Sequence, residues 1–129
     1  MVLKNKFVLY HLPLVLYAGV VITLSSIPQI NPPQIRFLAA DKVAHFIEYG
    51  IFSVLAFRSF SRLGNRVTPN KAVVISALFL CLFAAFDEYY QKFIPGRMSD
   101  MQDLLTDLAG AFLVLFLLWL RARKRQISR

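Results

Sequence analysis

Four long apolar segments alternate with short polar ones along this sequence of 129 residues. We place the apolar segments at about 7–27, 41–60, 71–93 and 100–120. A helix of about twenty apolar residues is long enough to cross a hydrocarbon core of roughly 30 Å. The pattern therefore predicts an all-α fold: a single domain over 1–129 that is an integral membrane bundle of four transmembrane helices.

Prolines and polar residues predict where these helices bend, begin and end. Pro13 predicts a kink in the first helix. Three prolines predict an extended loop over 28–40, since proline cannot continue a helix: Pro28, Pro32 and Pro33. We expect the fourth helix to begin at Ser99 or Asp100, where a helix cap fits, and a basic tail over 121–129 to follow it.

Composition supports the membrane interpretation. Hydrophobic residues make up 57% of the chain, and its mean hydropathy of +0.56 is too high for an ordinary soluble domain of this size. The net charge of +8 does not indicate nucleic-acid binding, because the basic residues flank apolar segments. Cys81 is the only cysteine, which excludes an intramolecular disulfide and a thiolate metal cluster.

The charged residues are divided unequally between the two ends of the predicted bundle. Four spans put the N-terminus, the loop after the second helix and the C-terminus on one side, with 11 of the 15 basic residues. The positive-inside rule makes that side cytoplasmic. All seven acidic residues fall in the other half, so we expect an acidic end that faces outward.

Polar side chains near this outward end fall on one face of each of the last three helices. Helical spacing groups Asp41, His45 and Glu48; Asp87 and Gln91; and Asp100, Asp103, Asp107 and Gly110. A carboxylate at the centre of a bilayer costs roughly 2.5–3.5 kcal/mol or more. The three faces should therefore meet in a pocket, and small residues such as Gly110 would let the helices approach closely.

Capping and ion pairing offer a structural interpretation of some of these residues. Asp41 and Asp100 stand at expected helix starts, where a carboxylate caps free N–H groups. Two ion pairs can hold the helix ends together: Asp87 or Glu88 with Lys92, and Asp103 with Arg97. Neither explains polar groups about two turns inside a span, and we therefore favour a functional pocket.

The chemistry of the pocket leaves binding and catalysis open. His45 can act as an acid or base near neutral pH. Arg97 can hold a phosphate or carboxylate through two hydrogen bonds. A histidine with several carboxylates can also bind a hard divalent cation, but no ligand motif makes this specific, so we predict no metal and leave any cofactor unknown.

In these polar segments the chain resembles the VanZ-like membrane protein family. The shared residues run over about 41–110: Asp41, Lys42, His45 and Tyr49; Asp87, Glu88 and Gln91; Pro95, Gly96 and Arg97; Asp103; and Gly110. Two positions depart from the family pattern, because Asp107 stands where an asparagine is usual and Val114 where a glycine is frequent. The resemblance implies a multi-pass protein of the bacterial cytoplasmic membrane, whose founding relative is linked to resistance to the lipoglycopeptide teicoplanin.

Two function classes follow. In the first, the protein is not an enzyme and recognises an amphiphile, either a lipid-linked envelope precursor or a lipoglycopeptide. Membrane lipids are its other expected partners. Its expected ligand-binding residues are Asp41, His45, Glu48, Tyr49, Asp87, Glu88, Gln91, Arg97, Asp103 and Asp107.

The second is a membrane-embedded hydrolase or transferase that acts on a lipid head group. His45 would be its base, Asp41 or Glu48 would orient that base, and Asp87 or Asp103 would place a metal; the candidates for catalysis are His45, Glu48 and Asp87. A proton-linked transporter would need more than four spans, or a homo-oligomer, which the sequence leaves open.

Overall fold

The computed structural model describes residues 2–29 and 35–128, which form five helices and no strand. The helices are α1 (Val2–Tyr10), α2 (Leu12–Ser25), α3 (Ile35–Phe60), α4 (Pro69–Gln91) and α5 (Met101–Ile127). The all-α prediction is confirmed. The predicted segments at 41–60, 71–93 and 100–120 correspond to α3, α4 and α5.

The predicted first helix at 7–27 is two helices, and the break lies beside Pro13. α1 ends at Tyr10 and α2 begins at Leu12. Proline has no N–H, so the carbonyl oxygen of Leu9, four residues earlier, lacks its usual helical donor. Arg58 of α3 supplies one, because its Nη2 donates a hydrogen bond to that oxygen at 3.1 Å. The break between α1 and α2 is therefore tied to the neighbouring helix.

Two predicted boundaries were wrong. α3 begins at Ile35, so the end of the predicted extended loop over 28–40 is helical and Asp41 lies inside a helix instead of capping one. Residues 30–34, which include Pro32 and Pro33, lie outside the described residues. The predicted tail over 121–129 continues α5 to Ile127, because its arginines, lysine and alanine have high helix propensity and its cations suit a helix C-terminus.

α3 is the central helix and packs most extensively on α5. The two backbones approach closely at Gly110, where an added Cβ would lie only 2.2 Å from the carbonyl oxygen of Phe46. Ser53 of α3 also donates a hydrogen bond to the carbonyl oxygen of Ala111 at 3.1 Å. Towards α4, Phe52 meets the ring of Phe83 edge to face, with centroids 4.9 Å apart.

The outer surface of the bundle is apolar, whereas most of its carboxylates are buried or partly buried. Large exposed hydrophobic side chains run along α4 and α5, among them Leu78, Leu82, Phe86, Phe112 and Phe116. These two helices are long and apolar enough to cross a membrane. An apolar exterior around polar groups is the arrangement expected of a protein surrounded by lipid.

Candidate functional site

The three predicted polar faces meet at one end of the bundle. There the C-terminal ends of α2 and α4 lie beside the first half of α3 and the first turns of α5. The buried polar residues of this region are Ser25, His45, Asp87, Glu88, Gln91, Asp103 and Asp107. Tyr49 is also fully buried there, whereas Asp41, Glu48 and Arg97 are partly buried.

His45 and Asp107 join α3 to α5. The His45 Nδ1 and the Asp107 Oδ1 lie 2.9 Å apart, and the two residues are only 8% and 2% exposed. A hydrogen bond between a histidine and a carboxylate fixes the orientation of the imidazole ring. The enzyme hypothesis assigned this orienting role to Asp41 or Glu48, but in the structure Asp107 performs it. The close approach at Gly110, one turn further along α5, lets the two side chains meet.

Lys42 and two aspartates form an ion cluster across the same helix pair. The Lys42 ammonium donates to the Asp100 Oδ2 at 3.0 Å and contacts the Asp103 carboxylate. Asp100 is also the N-cap of α5, as predicted, and its side chain accepts a hydrogen bond from the N–H of Gln102. These two donors, the Gln102 N–H and then the Lys42 ammonium, lower the pKa of Asp100 below its usual range.

Glu88 ties α4 to the start of α5. Its Oε1 accepts a hydrogen bond from the backbone N–H of Asp100. In a capping box, that N–H is bound by the side chain three residues later, which here is Asp103. Because Glu88 takes this place from another helix, the Asp103 carboxylate remains available to Lys42.

Asp87 of α4 is bound from α2. Ser25 donates a hydrogen bond to the Asp87 Oδ2 at 2.9 Å, and Asp87 is only 2% exposed. Its second oxygen, Oδ1, is buried and has no hydrogen-bond partner among the described residues. The same is true of the Glu48 Oε1, the Tyr49 hydroxyl and the Glu88 Oε2. The site therefore contains three buried carboxylate oxygens and one buried hydroxyl that the described residues leave without a hydrogen-bond partner.

Arg97 lies in the turn between α4 and α5 and caps the end of α2. Its Nε donates to the carbonyl oxygen of Ile27 at 3.3 Å, and its Nη2 to that of Leu24 at 3.2 Å. Gly96 makes the turn, with a positive φ of 76° and no room for a side chain against Gln29. Arg97 therefore has a structural role that its sequence position did not indicate.

Two adjoining cavities open among these residues. The smaller, of about 230 Å³, is lined by Ser25, Asp41, His45, Glu48 and Arg97 together with Leu24, Ile27, Gln29 and Ala44. The larger, of about 760 Å³, lies beside Lys42, Asp100 and Asp103. Asp41, Ala44 and Gln29 line both, so the two cavities adjoin at these residues.

Some polar contacts differ from those predicted. Neither expected ion pair forms: Asp103 pairs with Lys42 instead of Arg97, and the Lys92 ammonium lies over the ring of Tyr89, 5.4 Å from its centroid. Ser25 was missed, since a serine at the end of an apolar helix carries no distinctive signal. Lys42 was placed at this end of the bundle by its position next to Asp41, but it was not predicted to be a site residue.

Comparison with known proteins supports the family resemblance seen in the polar segments. The model of the VanZ/LLP1 family matches residues 4–122, nearly the whole chain. Neither a curated protein nor a solved structure matches the chain significantly. The match includes every residue of the polar site. The chain therefore belongs to the VanZ/LLP1 family.

Proposed function

We propose that this protein is a four-span component of the bacterial cytoplasmic membrane that binds the head group of an amphiphile in its polar cavity. The amphiphile is a lipid-linked envelope component or a lipoglycopeptide such as teicoplanin. The observation that carries the proposal is the cavity of about 230 Å³ lined by Asp41, His45, Glu48 and Arg97, together with the adjoining cavity of about 760 Å³, at the edge of an otherwise apolar bundle.

The apolar exterior supports four spans. α2 and α3 expose large hydrophobic side chains as α4 and α5 do: Val15, Leu16 and Val20 on α2, and Val43, Ile47 and Ile51 on α3. α3 has 26 residues and so is about 39 Å long, which exceeds the hydrocarbon thickness. With the basic residues inside, the cavity faces outward and both termini are cytoplasmic.

The polar groups of the cavity suit a head group that has hydrogen-bond donors and an anionic part. The carboxylates of Asp41 and Glu48 accept hydrogen bonds from hydroxyl or ammonium groups, as sugars and peptides carry. Arg97 uses Nε and Nη2 on backbone carbonyls, which leaves its Nη1 to bind a phosphate or carboxylate. A lipid chain of the ligand would extend along the apolar exterior, which faces the bilayer.

Lipid retention by purified protein tests this proposal. Native mass spectrometry of wild-type protein should show a co-purified or added anionic amphiphile, and Arg97→Ala should lose it. Arg58→Ala is the matched control, because Arg58 also donates to a backbone carbonyl but lies at the opposite end of the bundle. Equal retention by Arg97→Ala and Arg58→Ala, with both variants folded by circular dichroism, would refute the proposed site.

A further inference from the structure

Asp41, His45 and Asp103 bring one imidazole and two carboxylates together from α3 and α5. A ring nitrogen of His45 and one carboxylate oxygen from each aspartate all lie within 4.8 Å of one another. Ligand atoms around a zinc-sized ion stand roughly 3–3.5 Å apart, given metal–ligand bonds of about 2.0–2.2 Å. Side-chain movements of about 1–2 Å would therefore complete a three-ligand site.

The bond between His45 and Asp107 prepares the histidine for such a role. Asp107 holds Nδ1 and does not belong to the three-residue group, so Nε2 is the nitrogen left to bind an ion. Histidines that bind metals usually donate their other ring N–H to a carboxylate, which fixes the tautomer and the ring direction. His45 is also only 8% exposed, so the orientation of its ring is set by packing as well.

Buried carboxylate oxygens without hydrogen-bond partners also point to a cation. Glu48, which lines the same cavity as Asp41 and His45, has a buried oxygen without a partner among the described residues, and so does Asp87. All seven acidic residues of the chain lie in this region, where Lys42 and Arg97 are the lysine and arginine in contact with the site among the side chains that the structure describes. Uncompensated buried carboxylates are costly in a membrane, and a divalent ion would offset that cost.

We propose that Asp41, His45 and Asp103 bind a divalent transition-metal ion such as Zn²⁺ or Mn²⁺. The imidazole favours these ions over Ca²⁺ and Mg²⁺, which prefer oxygen ligands alone. Lys42 contacts the Asp103 carboxylate and competes with the ion for it. The inference goes beyond amphiphile binding and does not depend on it, although a bound ion would give an anionic head group a second positive partner.

Metal titration of the full-length protein, purified in detergent without a polyhistidine tag, tests the site. Zn²⁺ and Mn²⁺ are added alone, and binding is followed by calorimetry and by elemental analysis after dialysis. Wild-type protein should hold one ion per chain, and His45→Gln and Asp103→Asn should each weaken binding by at least about 10-fold. His11→Gln replaces the chain's other histidine, which contacts Ser59 at the opposite end, and should bind as wild type does.

Two further variants separate a metal site from a general structural effect. Lys42→Gln should bind the ion more tightly, because the competing ammonium is gone; unchanged or weaker affinity contradicts the proposed competition. Asp107→Asn keeps an acceptor oxygen for His45 but loses the charge, and should weaken binding by roughly 10-fold or more. Equal binding by wild type, His45→Gln and Asp103→Asn would overturn the metal site, whatever the outcome of the lipid experiment.

Discussion

Replacing Gly110 by alanine should separate α3 from α5 at the polar site. The new Cβ would lie 2.2 Å from the carbonyl oxygen of Phe46, whereas ordinary contact begins at 3.4 Å, so the backbones must part by about 1.2 Å. Overpacking of this kind costs about 1–3 kcal/mol. One turn away, the 2.9 Å bond between His45 and Asp107 would stretch beyond hydrogen-bond range, and its loss adds about 1.5–3 kcal/mol.

Unfolding in detergent micelles, followed by circular dichroism, measures this effect. Gly19→Ala is the matched control, because an added Cβ at Gly19 meets no atom within 4 Å and alanine is the better helix former by about 0.5–1 kcal/mol. Gly110→Ala should be less stable than wild type by at least about 2 kcal/mol, and Gly19→Ala should be as stable or more. If both variants were equally stable, the close approach of α3 and α5 at Gly110 would be wrong.

Three further predictions concern other contacts of the site. Ser25→Ala should lower the unfolding free energy by about 1–3 kcal/mol, because it removes the donor to the buried Asp87 carboxylate. Thr23→Ala, exposed on the same helix, should change it little, and equal losses in the two variants would contradict the prediction. Asp100→Asn keeps the helix cap but removes the charge, so it should have a lower unfolding free energy than wild type at pH values above the ordinary carboxyl pKa. This difference should disappear as the pH falls through the lowered pKa of Asp100 in the folded protein, and a difference that grows in acid would contradict the prediction. In a protein whose Cys81 is replaced by serine, a cysteine introduced at exposed Ser99 should react with a membrane-impermeant maleimide in intact cells. A cysteine introduced at exposed Asn65 should react only after permeabilisation, and the opposite pattern would show that the proposed topology is wrong.

Helical periodicity predicted which polar side chains share a face. Asp41, His45 and Glu48 line one cavity because residues three and four apart on a helix point the same way. The faces of α4 and α5 were predicted by the same spacing, and the burial of Asp87 and Asp107 agrees with it. This part of the site follows from geometry within each helix, which the sequence determines locally.

Partner choice between helices could not be predicted in the same way. Lys42 lies closer to Asp103 than Arg97 does because Arg97 is drawn to the carbonyl groups at the end of α2. Those carbonyls are unpaired at every helix end, and no residue pattern says which neighbouring side chain will bind them. The position of Asp41 inside α3 was missed for a related reason, since good helix formers before it extend the helix backwards from the predicted cap.

Filling the cavity tests the central claim most directly. Ala44 lines both cavities, and Ala44→Phe would occupy the space proposed for the head group. Ala85→Phe, on the exposed surface of α4, adds the same side chain elsewhere. The quantity to measure is the amount of amphiphile retained per protein in native mass spectrometry. We predict loss of the bound amphiphile in Ala44→Phe and wild-type retention in Ala85→Phe. Wild-type retention by Ala44→Phe would show that the cavity does not hold the ligand.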